Sequence, residues 1–113
     1  MAKYETTLTA NFDRYLAYLD GHILGDSVSA SYEDGSDITC GNVRCAVRVY
    51  ERYSAFGQNR VSMTLTLVGA GDQLSLSVIT SGGSQAMFFK INTVGEETFL
   101  DKLVRAIEAY QGQ

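Results

Sequence analysis

From Val43 to Thr80 the chain alternates apolar and polar residues almost without a break. Val43, Cys45, Val47 and Val49 alternate with Arg44, Ala46, Arg48 and Tyr50. Beyond a glycine-containing turn, Val61, Met63, Leu65 and Leu67 alternate with Ser62, Thr64, Thr66 and Val68. Beyond a second turn, Leu74, Leu76 and Val78 alternate with Ser75, Ser77 and Ile79. Successive side chains on a strand point to opposite faces, so this pattern writes an antiparallel sheet with one dry face and one wet face. The dry face needs a cover, and the chain supplies a helix with an apolar stripe near each end.

At 113 residues the chain, 1–113, is a single domain. A domain of this size buries roughly two thirds of its unfolded surface and needs no staples. Its 45% hydrophobic and 19% charged content is that of an ordinary globular protein. The net charge of −4 argues against general nucleic-acid binding, which needs excess Lys and Arg to displace phosphate counterions. Two cysteines, Cys40 and Cys45, are too few for a disulfide scaffold and have opposite parity on a single strand. The opening Met1-Ala2-Lys3-Tyr4-Glu5 lacks a signal-peptide apolar stretch, and no apolar run approaches the ~20 residues of a membrane helix. A cytoplasmic protein with reduced thiols and no membrane partner is expected.

Lys3 to Ala10 alternates and reads as a first strand. Asn11 stands where a helix N-cap belongs, and Phe12, Leu16, Leu19 and Ile23 follow as an apolar helical stripe that should stop between Gly21 and Gly25. Ser27 to Tyr32 alternates again, and Asp34-Gly35 reads as a turn. Ile38, Thr39 and Cys40 either lead into the strand beginning near Val43 or form part of a bulge at Gly41. Turns are expected at Phe56-Gly57-Gln58-Asn59, at Gly69-Ala70-Gly71-Asp72 and at Ser81-Gly82-Gly83-Ser84. Met87 to Asn92 reads as a further short strand or extended loop. The last helix should carry Glu96 and Glu97 in its first turn, bury Phe99, Leu100, Leu103, Val104, Ile107 and Tyr110, and end at Gly112.

The expected architecture is α+β. One antiparallel sheet of five or six strands, in the order β-α-β-β-β-β-α, carries two helices on one face. This order resembles the TATA-box-binding-protein-like and Bet v1-like, helix-grip-related group of folds. The whole chain also resembles a family of small bacterial proteins of unknown function with that architecture. The resemblance implies binding of DNA, lipids, steroids or proteins. The DNA-binding members carry two copies of the unit in one chain, whereas this chain carries one.

No motif for a cofactor stands out. Gly69-Ala70-Gly71-Asp72 begins like a dinucleotide fingerprint but lacks the third glycine and precedes a strand, so it reads as a hairpin turn. Asp34 and Asp37 are too few oxygens for a calcium loop, and two cysteines with one histidine are too few for zinc. Cys45 is expected to face the core with Val43 and Val47. His22, the only histidine, is a weak candidate for an acid or base, since no nucleophile elbow accompanies it. Arg44, Arg48 and Arg52, with Tyr50, fall on the polar side of one strand about 13 Å apart from neighbour to neighbour, a row suited to a nucleic-acid backbone, to an acidic partner or to plain solvation.

Two functions follow, both leaning away from catalysis. The first is an apolar small-molecule binder whose cavity lies between sheet and terminal helix, lined by Met63, Leu65, Leu76, Val78, Met87, Phe89, Phe99, Leu103 and Ile107. The second is a protein-interaction module or homodimer without a cavity, using the outer strands with Arg44, Arg48, Tyr50 and Arg52.

Overall fold

The computed structural model describes residues 2–25, 29–53, 60–82 and 89–110, with side chains described outside 89–98. Five strands and two helices follow in the order β1 (Ala2–Thr9), α1 (Phe12–Gly25), β2 (Ala30–Cys40), β3 (Val43–Tyr53), β4 (Arg60–Ala70), β5 (Gln73–Gly82) and α2 (Phe89–Ala109). The fold is α+β, as the alternation predicts. All neighbours pair antiparallel in the spatial order β1-β5-β4-β3-β2, so β1 and β2 are the edges.

Two hairpins are closed by two-residue turns, Gly41-Asn42 and Gly71-Asp72, with Gly41 at φ 61° and Gly71 at φ 65°. Positive φ is the conformation such turns demand, and glycine adopts it without strain. The turn expected at Phe56–Asn59 lies outside the described residues.

The helices cover one face. Asn11 caps α1, its side-chain oxygen accepting from the Arg14 amide at 2.9 Å. Phe12, Tyr15, Leu19 and Ile23 are the buried side of α1, so Tyr15 takes the place expected of Leu16. On α2, Phe99, Leu100, Leu103 and Ile107 are buried as expected, whereas Val104 and Tyr110 are half-buried and Ala106 is buried in their stead. They meet Met63, Leu65, Leu67, Leu76 and Val78 in one core cluster.

Four expectations are corrected. Asp34-Gly35 is no turn: β2 runs straight through it, with a register shift between Tyr32 and Asp34. Gly35 suits that position because a β-carbon would lie 2.9 Å from the Val47 backbone oxygen on β3, as well as 2.5 Å from the Tyr32 hydroxyl. Phe89 to Asn92 is helix and not strand, so α2 starts earlier and Glu96 and Glu97 sit inside it. Met87 and Gly112 lie outside the described residues. The strand β3 is phased the other way: Ala46 and Tyr50 are fully buried towards the helices, while Val43, Cys45, Val47 and Val49 face outward. The fourth correction follows from the Gly41-Asn42 turn. Cys40 pairs Val43 and Cys45 pairs Ile38, so both free thiols stand on the outer face.

Candidate functional site

Four regions hold the residues with functional potential: the core beneath α2, the arginine row on β3, the outer face of the sheet, and the grooves beside α1.

In the first, Met63, Leu65 and Val78 are fully buried, Leu76 is 1% exposed, and Phe99, Leu103 and Ile107 are 2%, 3% and 8% exposed. They pack against one another as a single cluster. Phe89 lies on α2 with its side chain outside the description, and Met87 is outside altogether. The residues expected to line a cavity are thus brought together, and they are brought together as tightly buried side chains.

Arg44, Arg48, Tyr50 and Arg52 lie under α1 and α2 and not on the outer surface. β4 sets this phase. Its Met63, Leu65 and Leu67 must point inward, and Tyr50 pairs Met63 while Ala46 pairs Leu67. Each arginine then finds a local partner. Arg44 lies 4.1 Å above the Phe12 ring centroid and grips Asp13 with two hydrogen bonds of 3.2 and 3.0 Å. The bond from Arg44 holds the Asp13 carboxyl below its ordinary range. Arg48 binds both carboxylate oxygens of Asp37 and the carbonyls of Ser36 and Val47. Arg52 lies 5.6 Å from the Phe99 ring centroid, with Nη1 buried and unbonded. The Tyr50 hydroxyl donates to Asp20 at 2.7 Å, and burial followed by this carboxylate pushes its pKa above the usual tyrosine range. Within this row Arg44 and Tyr50 tie α1 to the sheet, Arg48 ties β3 to β2, and Arg52 lies against α2. Asp34 and Asp37, the pair weighed for a cation, occupy opposite faces, and Asp37 is spent on Arg48. Among the described residues no group of three His, Cys, Asp or Glu gathers for a metal ion.

Among the described residues the outer face carries no helix. Read across the register from β2 to β1, one row is Ile38, Cys45, Val68, Ser75 and Thr7. The next is Ser36, Val47, Thr66, Ser77 and Glu5, and the next Asp34, Val49, Thr64, Ile79 and Lys3. Charges stand only towards the edges and one end. The centre is valine, threonine and serine, with Ile38 55% and Ile79 37% exposed. Cross-strand phase and the β2 bulge created this stripe, and neither is visible to a parity count along β3 alone.

Among the described residues, open grooves flank α1. One, of 480 Å³, runs between α1 and the β2–β3 side and is lined by Leu16, Ala17, Leu24 and Tyr32 with Asp13, Asp20 and Arg48. The polar members of that wall are already bonded to residues outside it: Asp13 to Arg44, Arg48 to Asp37 and Asp20 to Tyr50. Another, of 490 Å³, lies between the helices and is lined by Tyr18, His22, Lys102, Arg105, Ala106 and Ala109. His22 stands out in the sequence as a lone histidine; its cationic neighbours come from the far end of the chain, which no local spacing reveals. No helix among the described residues is long and apolar enough to cross a membrane, a statement about helices and not about strands.

Against known proteins, a model of a family of unknown function, DUF6054, matches residues 1–111. No curated protein matches the chain. Among solved structures the crystal structure of TTHA0849 from Thermus thermophilus is similar over 95% of this chain and 93% of that one, at 8% identity and a TM-score of 0.34, too weak a likeness to carry an argument.

Proposed function

The chain belongs to the DUF6054 family, whose description assigns no activity, and we propose from geometry that it is a non-enzymatic, cytoplasmic interaction module that self-associates through the open outer face of its sheet. One observation carries this reading: the centre of that face is free of charge and its charged residues stand towards the margins, the composition of an interface core with a polar rim.

The face is also complementary to itself. A twofold axis along β4, between two copies stacked face to face, lays β1 of one over β2 of the other and keeps each cross-strand row opposite itself. Lys3 then meets Asp34 of the second copy, Val49 meets Ile79, Val68 meets Val68, and Glu5 meets the neutral Ser36. Both Lys3 and Asp34 are exposed in the single chain. The tight burial of Met63, Leu65, Val78 and their neighbours supports this reading over a ligand held beneath α2.

Analytical ultracentrifugation tests it. The parent should sediment as a dimer, Val47→Asp as a folded monomer. Lys3→Asp should weaken the dimer and Lys3→Asp with Asp34→Lys should restore it. A parent that stays monomeric up to about 1 mM, where association is worth only about 4 kcal/mol, overturns the proposal.

A further inference from the structure

The helix α1 places Tyr18 and His22 one turn apart on a side that faces α2. The helix α2 answers with Lys102, Arg105, Ala106 and Ala109, which fall along one strip at helical spacing. The Tyr18 hydroxyl donates to the Ala106 carbonyl at 2.6 Å, which pins the two helices together and fixes the ring as a wall. That ring also lies 4.6 Å from the Tyr110 ring and 4.5 Å from the imidazole of His22. Both alanines are too short to fill the space before them. What remains is a groove of 490 Å³ with an aromatic wall, a methyl-lined floor and three nitrogen-bearing side chains at its rim.

Such a concentration of basic groups runs against the charge of the molecule, which is −4 overall. Three arginines elsewhere are paired: Arg44 with Asp13, Arg48 with Asp37 and Arg60 with Glu51. Arg105 is exposed and forms no ion pair among the described residues. Its planar fork suits a carboxylate, which it grips through two parallel hydrogen bonds, while the ammonium of Lys102 adds a point charge. The volume is that of a small-molecule site, and the apolar walls need an apolar body on the ligand.

We propose that this interhelical groove binds a small aromatic carboxylate, with Arg105 and Lys102 holding the anionic end and Tyr18, Ala106 and Ala109 packing on the ring. The groove is in the helical layer and the proposed dimer contact on the opposite face of the sheet, so either stands without the other.

The probe is 1-naphthoate, followed by amide chemical shifts in the ¹⁵N-labelled protein, with the neutral 1-naphthalenemethanol and inorganic phosphate as comparison arms. Naphthoate should move the amides of Tyr18, His22, Ala106 and Ala109 in a saturable way. Arg105→Gln and Lys102→Gln should each weaken it by about five-fold or more, as the loss of one charge-assisted contact requires. Arg14→Gln, an exposed cation on α1 outside the groove, should leave the affinity unchanged. The alcohol and phosphate should each bind at least about five-fold more weakly, since each lacks one half of the recognition. The proposal is overturned by shifts that map elsewhere, by equal binding of acid and alcohol, by phosphate binding as tightly as naphthoate, or by charge-removing variants that bind like the parent. No saturation up to about 5 mM, an affinity near 3 kcal/mol, overturns it as well.

Discussion

A β-carbon on Gly69 would stand 2.6 Å from the Phe12 ring and 2.9 Å from a Leu74 methyl, so glycine at this strand position lets the first residue of α1 lie flat on the sheet. Gly69→Ala should therefore overpack the contact and lose about 1–3 kcal/mol. Gly21, inside α1, has nothing within 4 Å of its would-be β-carbon. Gly21→Ala should gain about 0.5–1 kcal/mol by restoring helix propensity. Urea melts of the two variants should move in opposite directions; a shared direction means that Phe12 is not seated as described. Tyr50 gives a second residue-scale test. Its hydroxyl is buried and bonded to Asp20, which raises its folded pKa above the unfolded value. A raised pKa means that the contribution is complete below the unfolded value of about 10 and declines as pH climbs beyond it. The urea midpoint of the parent should fall above about pH 10, and Tyr50→Phe should fall less steeply there while losing about 1–2 kcal/mol at neutral pH. Tyr15, whose pKa burial also raises, leaves the variant some slope of its own. Parallel curves for parent and variant would remove Tyr50 as the source.

The helix α2 shows how far an element can differ from its local reading. Met87 to Asn92 is too short and too apolar for periodicity to separate strand from helix, and a buried helix and a buried strand share that composition. Gly95 distinguishes them. In a helix beginning near Glu96 a proline at 95 would sit at the entry, where its missing amide costs little. In the helix that begins at Phe89 the same position is interior. Gly95→Pro should then remove a backbone bond and clash with the preceding turn, losing about 3 kcal/mol or more in a thermal or urea melt. A loss under about 1 kcal/mol would return the helix start to Glu96. Other elements were legible: the cap at Asn11, the alternation of β4 and β5, and the buried face of α2 from Phe99 to Ile107 all fold as the residues suggest. The phase of β3 was not, because Val43, Cys45, Val47 and Val49 outweigh Ala46 and Tyr50 in any count of apolarity. A neighbour decides it. Once β4 turns Met63 and Leu67 inward, their partners Tyr50 and Ala46 must follow, and the arginines go with them, Arg44 and Arg48 setting their forks on Asp13 and Asp37. Asp34-Gly35 misled for a related reason: the glycine that signals a turn locally is favoured instead by the close approach of the Val47 backbone oxygen on the neighbouring strand.

At the scale of the molecule, a five-stranded sheet with both helices on one side divides the protein into a sealed layer and an open one. The sites proposed above depend on which residues end up on each side. The groove pairs residues some eighty positions apart, and the outer stripe depends on a register between strands, so neither was readable before the packing was known. The sealed layer can be probed at its centre. Met63 is fully buried, flanked by Tyr50 on β3 and Thr80 on β5, and surrounded by the side chains that the sequence assigned to a ligand cavity. If that layer is filled, a larger side chain has nowhere to go. Met63→Trp should force its neighbours off their rotamers and lose about 1–3 kcal/mol or more, visible as a lower melting temperature with cooperative unfolding retained. If instead the sheet and α2 enclose space for an apolar molecule, the indole enters that space and the melt stays where the parent's is. Apolar ligands that raise the parent's melting temperature by mass action would then lose their effect on the variant. The tight burial of Leu65, Val78 and Leu103 around Met63 favours the first outcome. A lowered melt leaves the open face and the interhelical groove as the proposed contact surfaces, while an unchanged one moves the proposed ligand site back beneath α2.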